Sequence, residues 1–360
     1  NYNDSGAEDD IGESNGYQAG LSFSNGISHR IMFWDMSGNY SDRKNNGQTA
    51  RSFQAEGKLG IQTTWKVNPF IRYFNEDYSG SVSNSQNNQG ESWGAGFRWL
   101  AERNLTIDLS YNFVSNDELT DDYIDADINW TPTSRTSVQA GYNQRFFGDS
   151  YSFNLNHRNR RLTNTISYNE QIQAFQRDNF ESFIESTIWC PVGQPFDLDN
   201  CLSSPEDIQN TDDFFELPIL GVRPIEDDQF SLFKTLSWNS TLTLARTTFN
   251  LTLSNRERED LNTGDVQDFL TSRLSATRRM SSRSSATLAW SFTRNDYITN
   301  NDDLTIDRRD YYRTYTLSFD RELANALSLN SSLRYLDRTS NFGGQEYEEA
   351  RANLSITKEF

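Results

Sequence analysis

The sequence contains no run of about eighteen consecutive apolar residues, which excludes a membrane-spanning helix. Histidine is nearly missing, with two residues, and cysteine is equally scarce. Neither a Gly-x-Ser-x-Gly nucleophile elbow nor a Cys-x-x-Cys-His haem attachment occurs, so hydrolase and cytochrome readings lose their usual motifs. Positive charge is in deficit: 33 Lys and Arg face 51 Asp and Glu, a formal net charge of −18. That balance argues against nucleic-acid binding as the main business. With 35% hydrophobic residues and a mean hydropathy of −0.78, the chain is poor material for one large globular core. No basic segment followed by an apolar stretch opens at Asn1, so the chain reads as a processed or trimmed form of an exported protein.

What the chain does have is aromatic side chains, at 13%, more than a disordered polypeptide keeps. They recur with period two. In the last stretch, Ala350, Ala352, Leu354, Ile356 and Phe360 fall on one side, and Arg351, Asn353, Ser355, Thr357 and Glu359 on the other. A strand with one lipid-compatible face and one wet face, closing on Phe360, matches the last strand of a bacterial outer-membrane barrel. Phe360 is then a membrane-insertion signature, and barrel assembly machinery and outer-membrane lipid are the expected partners.

The same alternation repeats along the chain. It is clear in Ser92 to Leu100 (Trp93, Ala95, Phe97, Trp99), Leu105 to Val114 (Leu105, Ile107, Leu109, Tyr111, Phe113) and Ser285 to Arg294 (Leu288, Trp290, Phe292). About seventeen such segments of roughly ten residues can be drawn, the length a tilted membrane strand needs. Short connections alternate with longer acidic or Asn-rich ones, the tight Gly148-Asp149 hairpin excepted. This is the asymmetry of short periplasmic turns and long extracellular loops. The expected fold is an all-β, transmembrane, antiparallel up-and-down barrel in the bacterial outer membrane, of about 18 strands (16–18). An odd count leaves the first and last strands running the same way, which implies a further upward strand missing before Gly16. A soluble sandwich would share the alternation. The strand number, the girdle-like Trp and Tyr and the lack of strand prolines count against it.

One segment breaks the pattern. Ala174 to Asp228 carries thirteen acidic residues against Arg177 and Arg223, together with five of the seven prolines and both cysteines. The turn alternation makes it an extracellular insertion within an otherwise single barrel domain, 1–360. Cys190 and Cys201 have no His or further Cys nearby, and export passes an oxidising compartment, so a disulfide is expected rather than a metal pair. Asp197, Asp199, Asp212 and Asp213 could bind divalent cations and bridge to lipopolysaccharide phosphates; a solvated acidic loop is the competing reading. Trp189, Phe196, Phe214, Phe215, Leu217, Ile219 and Leu220 favour a folded plug, lid or partner-binding surface over a free coil.

The expected lumen face carries Glu56, Lys58, Arg98, Asp108, Asp125, Asp127, Arg145, Arg273 and Arg351. Mixed signs suit an aqueous interior with internal salt bridges. His157, near a short turn, fits a rim role better than general-base catalysis. No catalytic residue, cofactor or resident metal is expected, and no enzyme activity.

The run Asn129 to Val138 (NWTPTSRTSV), with Arg145 to Tyr151 (RFFGDSY), His157-Arg158 and Ile166 to Glu170 (ISYNE), resembles the PEP-CTERM system-associated outer-membrane β-barrel family. Asn1-Tyr2-Asn3-Asp4 and the Ala245 to Thr248 turn are similar to features of that family, the former with departures. The resemblance implies an outer-membrane barrel linked to exopolysaccharide and exosortase systems; it supplies no catalytic residues. The expected function is a channel or scaffold serving exopolysaccharide or extracellular-matrix export. A plugged barrel that binds an extracellular polymer or protein through residues 174–228 is the alternative.

Overall fold

The structure is a computed structural model. It describes residues 14–25, 31–45, 47–81, 88–115, 122–174, 176–191, 202, 214–227, 230–261, 264–301, 304–324, 327–341 and 346–358. The chain divides into two compact units, Asn1–Gln173 with Gln229–Phe360, and Ala174–Asp228.

The larger unit is one antiparallel sheet of seventeen strands. Its first ten are β1 (Ser14–Ser24), β2 (Met32–Asn45), β3 (Gln48–Ile61), β4 (Val67–Ser79), β5 (Gln89–Glu102), β6 (Leu105–Val114), β7 (Tyr123–Thr133), β8 (Thr136–Arg145), β9 (Gly148–Arg158) and β10 (Leu162–Gln173). The smaller unit contributes β11 (Gln176–Pro191) and β12 (Phe214–Asp227). The sheet resumes with β13 (Ser231–Thr243), β14 (Thr247–Asp260), β15 (Val266–Ser281), β16 (Ser284–Asn301), β17 (Leu304–Ala324), β18 (Leu327–Ser340) and β19 (Tyr347–Lys358). Each strand pairs with the next in an up-and-down meander, and β10 pairs directly with β13 across the insertion.

Physics dictates the face each side chain takes. Successive residues point to opposite faces, and the outward face carries Leu236, Trp238, Leu274, Leu288, Tyr315, Leu317, Leu333, Leu354 and Ile356, all exposed. Such a band is intolerable in water over this area and is what hydrocarbon requires. Some ten residues above the short turns the outward face becomes charged: Lys234 Nζ bonds Glu257 at 2.9 Å and Glu259 at 3.1 Å, and Arg313 bonds Asp337 at 2.7 Å. An apolar belt capped by ion pairs belongs to a transmembrane β-barrel wall of the bacterial outer membrane.

Inward contacts show how strongly the wall curls. Arg145 on β8 reaches Glu76 on β4 at 2.6 Å, and Tyr78 on β4 meets Phe230, at the foot of β13, with ring centroids 5.7 Å apart. A flat sheet would hold these groups several strand spacings apart.

Three details differ from the sequence-based expectation. A second far-side connection is short: β2 ends at Asn45 with β3 starting at Gln48, beside the expected tight turn from β8 at Arg145 to β9 at Gly148, whose φ of +112° suits only glycine. β16, expected to end near Arg294, runs on to Asn301 as an 18-residue strand, paired with a 21-residue β17. Beyond Arg294 the apolar alternation lapses in the sequence, so periodicity ceases to mark the strand while backbone pairing continues. Third, the acidic insertion contains a paired hairpin, β11 with β12, instead of a connection without strands.

Counting directions, β1 and β19 run the same way, and no register joins them among the described residues. The additional upward strand expected from the sequence is not among those residues, and Phe360 also lies outside them.

Replacing outward Leu333 with Arg is expected to destabilise the barrel by about 2–4 kcal/mol. Inward Ser332→Arg, one residue away, should be near neutral. Urea unfolding of the protein refolded in lipid vesicles measures both.

Candidate functional site

The inner face of the larger unit divides into two regions of different chemistry. Over β3 to β8 it is packed. On β4 the inward positions are Asn68, Phe70, Arg72, Phe74, Glu76 and Tyr78, all buried. On β5 they include Gly94, where a Cβ would stand 2.1 Å from Asn112 Oδ1, so only glycine lets the neighbouring side chains lie across the strand.

Into this region fall most of the lumen residues expected from the sequence. Arg72 Nε donates to Glu56 Oε1 at 2.8 Å, and its Nη2 lies 3.2 Å from Asp125. Arg98 holds Asp108 through two parallel bonds of 2.7 Å, the geometry that suits guanidinium to carboxylate. Lys58 Nζ bonds Asp127 and lies 3.7 Å from Glu56, 3.8 Å from Asp108 and 3.9 Å from Asp125. Aromatic faces close the cations off from below: Arg98 stacks 4.2 Å over Phe33, and Arg72 5.1 Å over Phe74. Glu56, Asp125 and Asp127 bring oxygens within 4.8 Å of one another, as a metal site would. The Lys58 ammonium stands among them and supplies the positive charge that an ion would otherwise bring.

Arg145 takes a separate position nearer the far end, with Glu76 and the Tyr78 hydroxyl at 2.8 Å. Arg273 and Arg351 belong to neither group; they stand exposed on β15 and β19. Sequence reasoning overlooked Arg72 and Glu76, each 1% exposed and central to the two clusters. Their strand has aromatics on its inner face as well, so alternation did not tell its two sides apart.

Over β8 to β10 and β13 to β17 the inner face is of another kind toward the short turns, while at the far end Phe233, Arg258, Tyr297, Arg308 and Asp310 are buried, with Arg308 on Asp310 at 2.6 Å. One register row runs Ser137, Asn156, Thr165, Asn239, Thr252, Arg273, Ser291, Thr314, and the next Thr163, Thr241, Asn250, Ser275, Ala289, Thr316. Hydroxyls and carboxamides tie the strands laterally: Ser167 to Ser237 at 2.8 Å, Thr252 to Asn239 and Thr241 to Asn250 at 3.0 Å. Gln139, Asn154, Asn156, Asn169 and Asn239 are exposed on this face. The wall is wet, uncharged over most of its area, and rich in paired donors and acceptors.

His157 is exposed beside a short turn, its Nδ1 2.9 Å from Thr136 Oγ1, with no carboxylate bonded to it. In the smaller unit Cys190 is buried and is not a free thiol. Its expected partner Cys201, and Asp197, Asp199, Asp212 and Asp213, lie outside the described residues.

No family model matches this sequence, and no curated protein does. Among solved structures, the chain is similar to OmpT of Vibrio cholerae in its trimer form, at 11% identity over 95% of both chains with a TM-score of 0.35. It is also similar to an anion-selective porin from Comamonas acidovorans, at 8% identity over 96% of this chain and 98% of the other, TM-score 0.35. A bacterial polysaccharide outer membrane secretin aligns at 8% identity over 92% and 99%, TM-score 0.32. Likenesses this distant carry neither residues nor activities across.

Removing the central cation tests the packed region. Lys58→Met leaves Asp108 and Asp125 buried without it and is expected to cost about 3–5 kcal/mol. Adding Asp127→Asn should restore part of that loss, because the pair then vanishes together. Denaturant titration of the two variants against the parent checks the sign.

Proposed function

We propose that this protein is a passive outer-membrane channel for hydrophilic solutes or polymers, serving exopolysaccharide or extracellular-matrix export, and that it is not an enzyme. The observation that carries the reading is the wet, largely uncharged wall over the short-turn halves of β8 to β10 and β13 to β17. Hydroxyl and carboxamide groups in register offer hydrogen bonds to passing water and sugar hydroxyls at many equivalent positions. Many weak equivalent sites favour movement, where one strong site would hold the solute. The resemblance around Asn129 to Glu170 supports the export context.

The second reading is a surface platform that docks an extracellular polymer or protein. It is favoured by one feature, the β11–β12 hairpin of the acidic segment, which forms a compact unit of its own. In that reading the barrel anchors and the hairpin binds.

Planar-bilayer recording separates the two. The channel reading predicts stepwise conductance from the intact protein, kept or enlarged on deleting Ala174 to Asp228. Silence from both forms, with each shown to be folded by heat-modifiable electrophoretic mobility, would sink it and leave the platform reading.

A further inference from the structure

The inner face of β15, β18 and β19 carries arginines whose sign opposes the charge of the whole chain. Arg273 stands in the row of Thr252 and Ser291. In the adjacent row Arg334 on β18 lies directly across from Arg351 on β19. All three side chains point inward and are exposed. Like charges facing each other across a strand pair destabilise a sheet, so packing gives no reason for Arg334 and Arg351 to share a position. Neither Arg273 nor Arg334 has an ion-pair partner among the described residues. Arg351 bonds Glu349 at 2.6 Å, which leaves the trio with a net positive charge.

The three guanidiniums also sit at one level. Each is seven or eight residues from its short-turn end, at Ser281 for β15, Leu327 for β18 and Lys358 for β19, so they occupy one band of the lumen. The packed region does not cancel them. Glu56, Asp108, Asp125 and Asp127 are set against Lys58, Arg72 and Arg98, which neutralise most of their charge, with Asp108 and Asp125 buried. Cations also outnumber acids at the short-turn end, where Arg158, Arg160, Arg161, Arg246, Arg279 and Arg283 are exposed beside Asp35, Glu102, Asp320 and Glu322. Most of the chain's acidic excess lies in residues 174–228, a separate compact unit.

We infer that the lumen selects anions: Arg273, Arg334 and Arg351 form a positive band that draws carboxylate- or phosphate-bearing hydrophilic solutes into the channel. The inference rests on the channel reading above and names its solute class. Guanidinium is the side chain suited to this task, being always charged and able to bond carboxylate or phosphate through two donors. A field focused between low-dielectric walls raises the local concentration of the counter-charge, whatever the net charge outside.

The test is the zero-current potential of the intact protein in a planar bilayer under a tenfold KCl gradient, with chloride as the probe anion. The inference predicts chloride permeability exceeding potassium permeability by severalfold, and a fall to parity or below in Arg273→Gln/Arg334→Gln/Arg351→Gln. Arg334→Lys, which keeps the charge, should keep the preference. Adding polygalacturonate, a carboxylate polymer, should reduce chloride current in the parent far more than neutral dextran of equal length does. Conductance with potassium preference, or a triple variant with unaltered selectivity, overturns the inference and leaves the channel standing. Silence from intact and hairpin-deleted protein overturns the channel itself. If the triple variant does not refold, the single variants Arg273→Gln and Arg334→Gln must each shift the potential in the same direction, and no shift in either counts against the band.

Discussion

A backbone amide or carbonyl inside hydrocarbon has no water to bond, and each group left unpaired costs several kcal/mol. That constraint organises this molecule. It demands strands paired without interruption from β1 through β10 and on from β13 to β19, and it lets a 55-residue segment leave and return only where β10 and β13 can pair behind it. It also demands that the outward side chains be apolar over the thickness of the bilayer. The inward side chains are then released from that demand, and function is written on them.

The inner face uses this freedom in two ways. Over β3 to β8 it behaves like a protein core made of charges. Arg72, Lys58 and Arg98 are stacked on Phe74, Phe70 and Phe33 and are bonded to carboxylates from strands up to four places away. Such a core costs desolvation that its ion pairs largely offset, so its value lies less in net stability than in holding a curved wall to one shape. Over the short-turn halves of β8 to β10 and β13 to β17 the side chains are short and hydroxylated, bond sideways to one another, and leave space inside, whereas at the far ends Phe233, Arg258, Tyr297, Arg308 and Asp310 pack as a second buried group. One region sets the form of the lumen and the other provides its surface.

Much of this was legible in the sequence, and the failures have physical causes. Leu105 to Val114 announces its two faces because hydrocarbon leaves no latitude at alternate positions. β4 does not, since Phe70, Phe74 and Tyr78 line the packed inner side while Ile71 and Tyr73 face lipid. Both faces are aromatic, and Arg72 and Glu76 went unnoticed between them. The upper halves of β16 and β17 escaped because apolar alternation lapses beyond Arg294, where backbone pairing persists. Pro218, Pro224 and the acidic residues disguised β12, whose hairpin is not subject to the bilayer's rule. Face was readable throughout; which inward residues meet was not, because alternation encodes direction and says nothing of curvature. Glu56, Lys58, Arg98, Asp108, Asp125 and Asp127 all face inward as expected, yet their convergence around one ammonium depends on how tightly the wall bends.

The central claim is that one part of the inner face is packed and the other is water-filled. Site-directed spin labelling measures this most directly, by comparing relaxation by a water-soluble nickel chelate with relaxation by membrane-dissolved oxygen. Labels at Asn154, Asn169 and Asn239 should respond to the nickel chelate. Labels at Leu236 and Trp238 should respond to oxygen, and labels at Ser110 and Asn112 to neither. Lumen sites on β9, β10 and β13 as protected as Ser110, or no alternation along β13, would contradict the account.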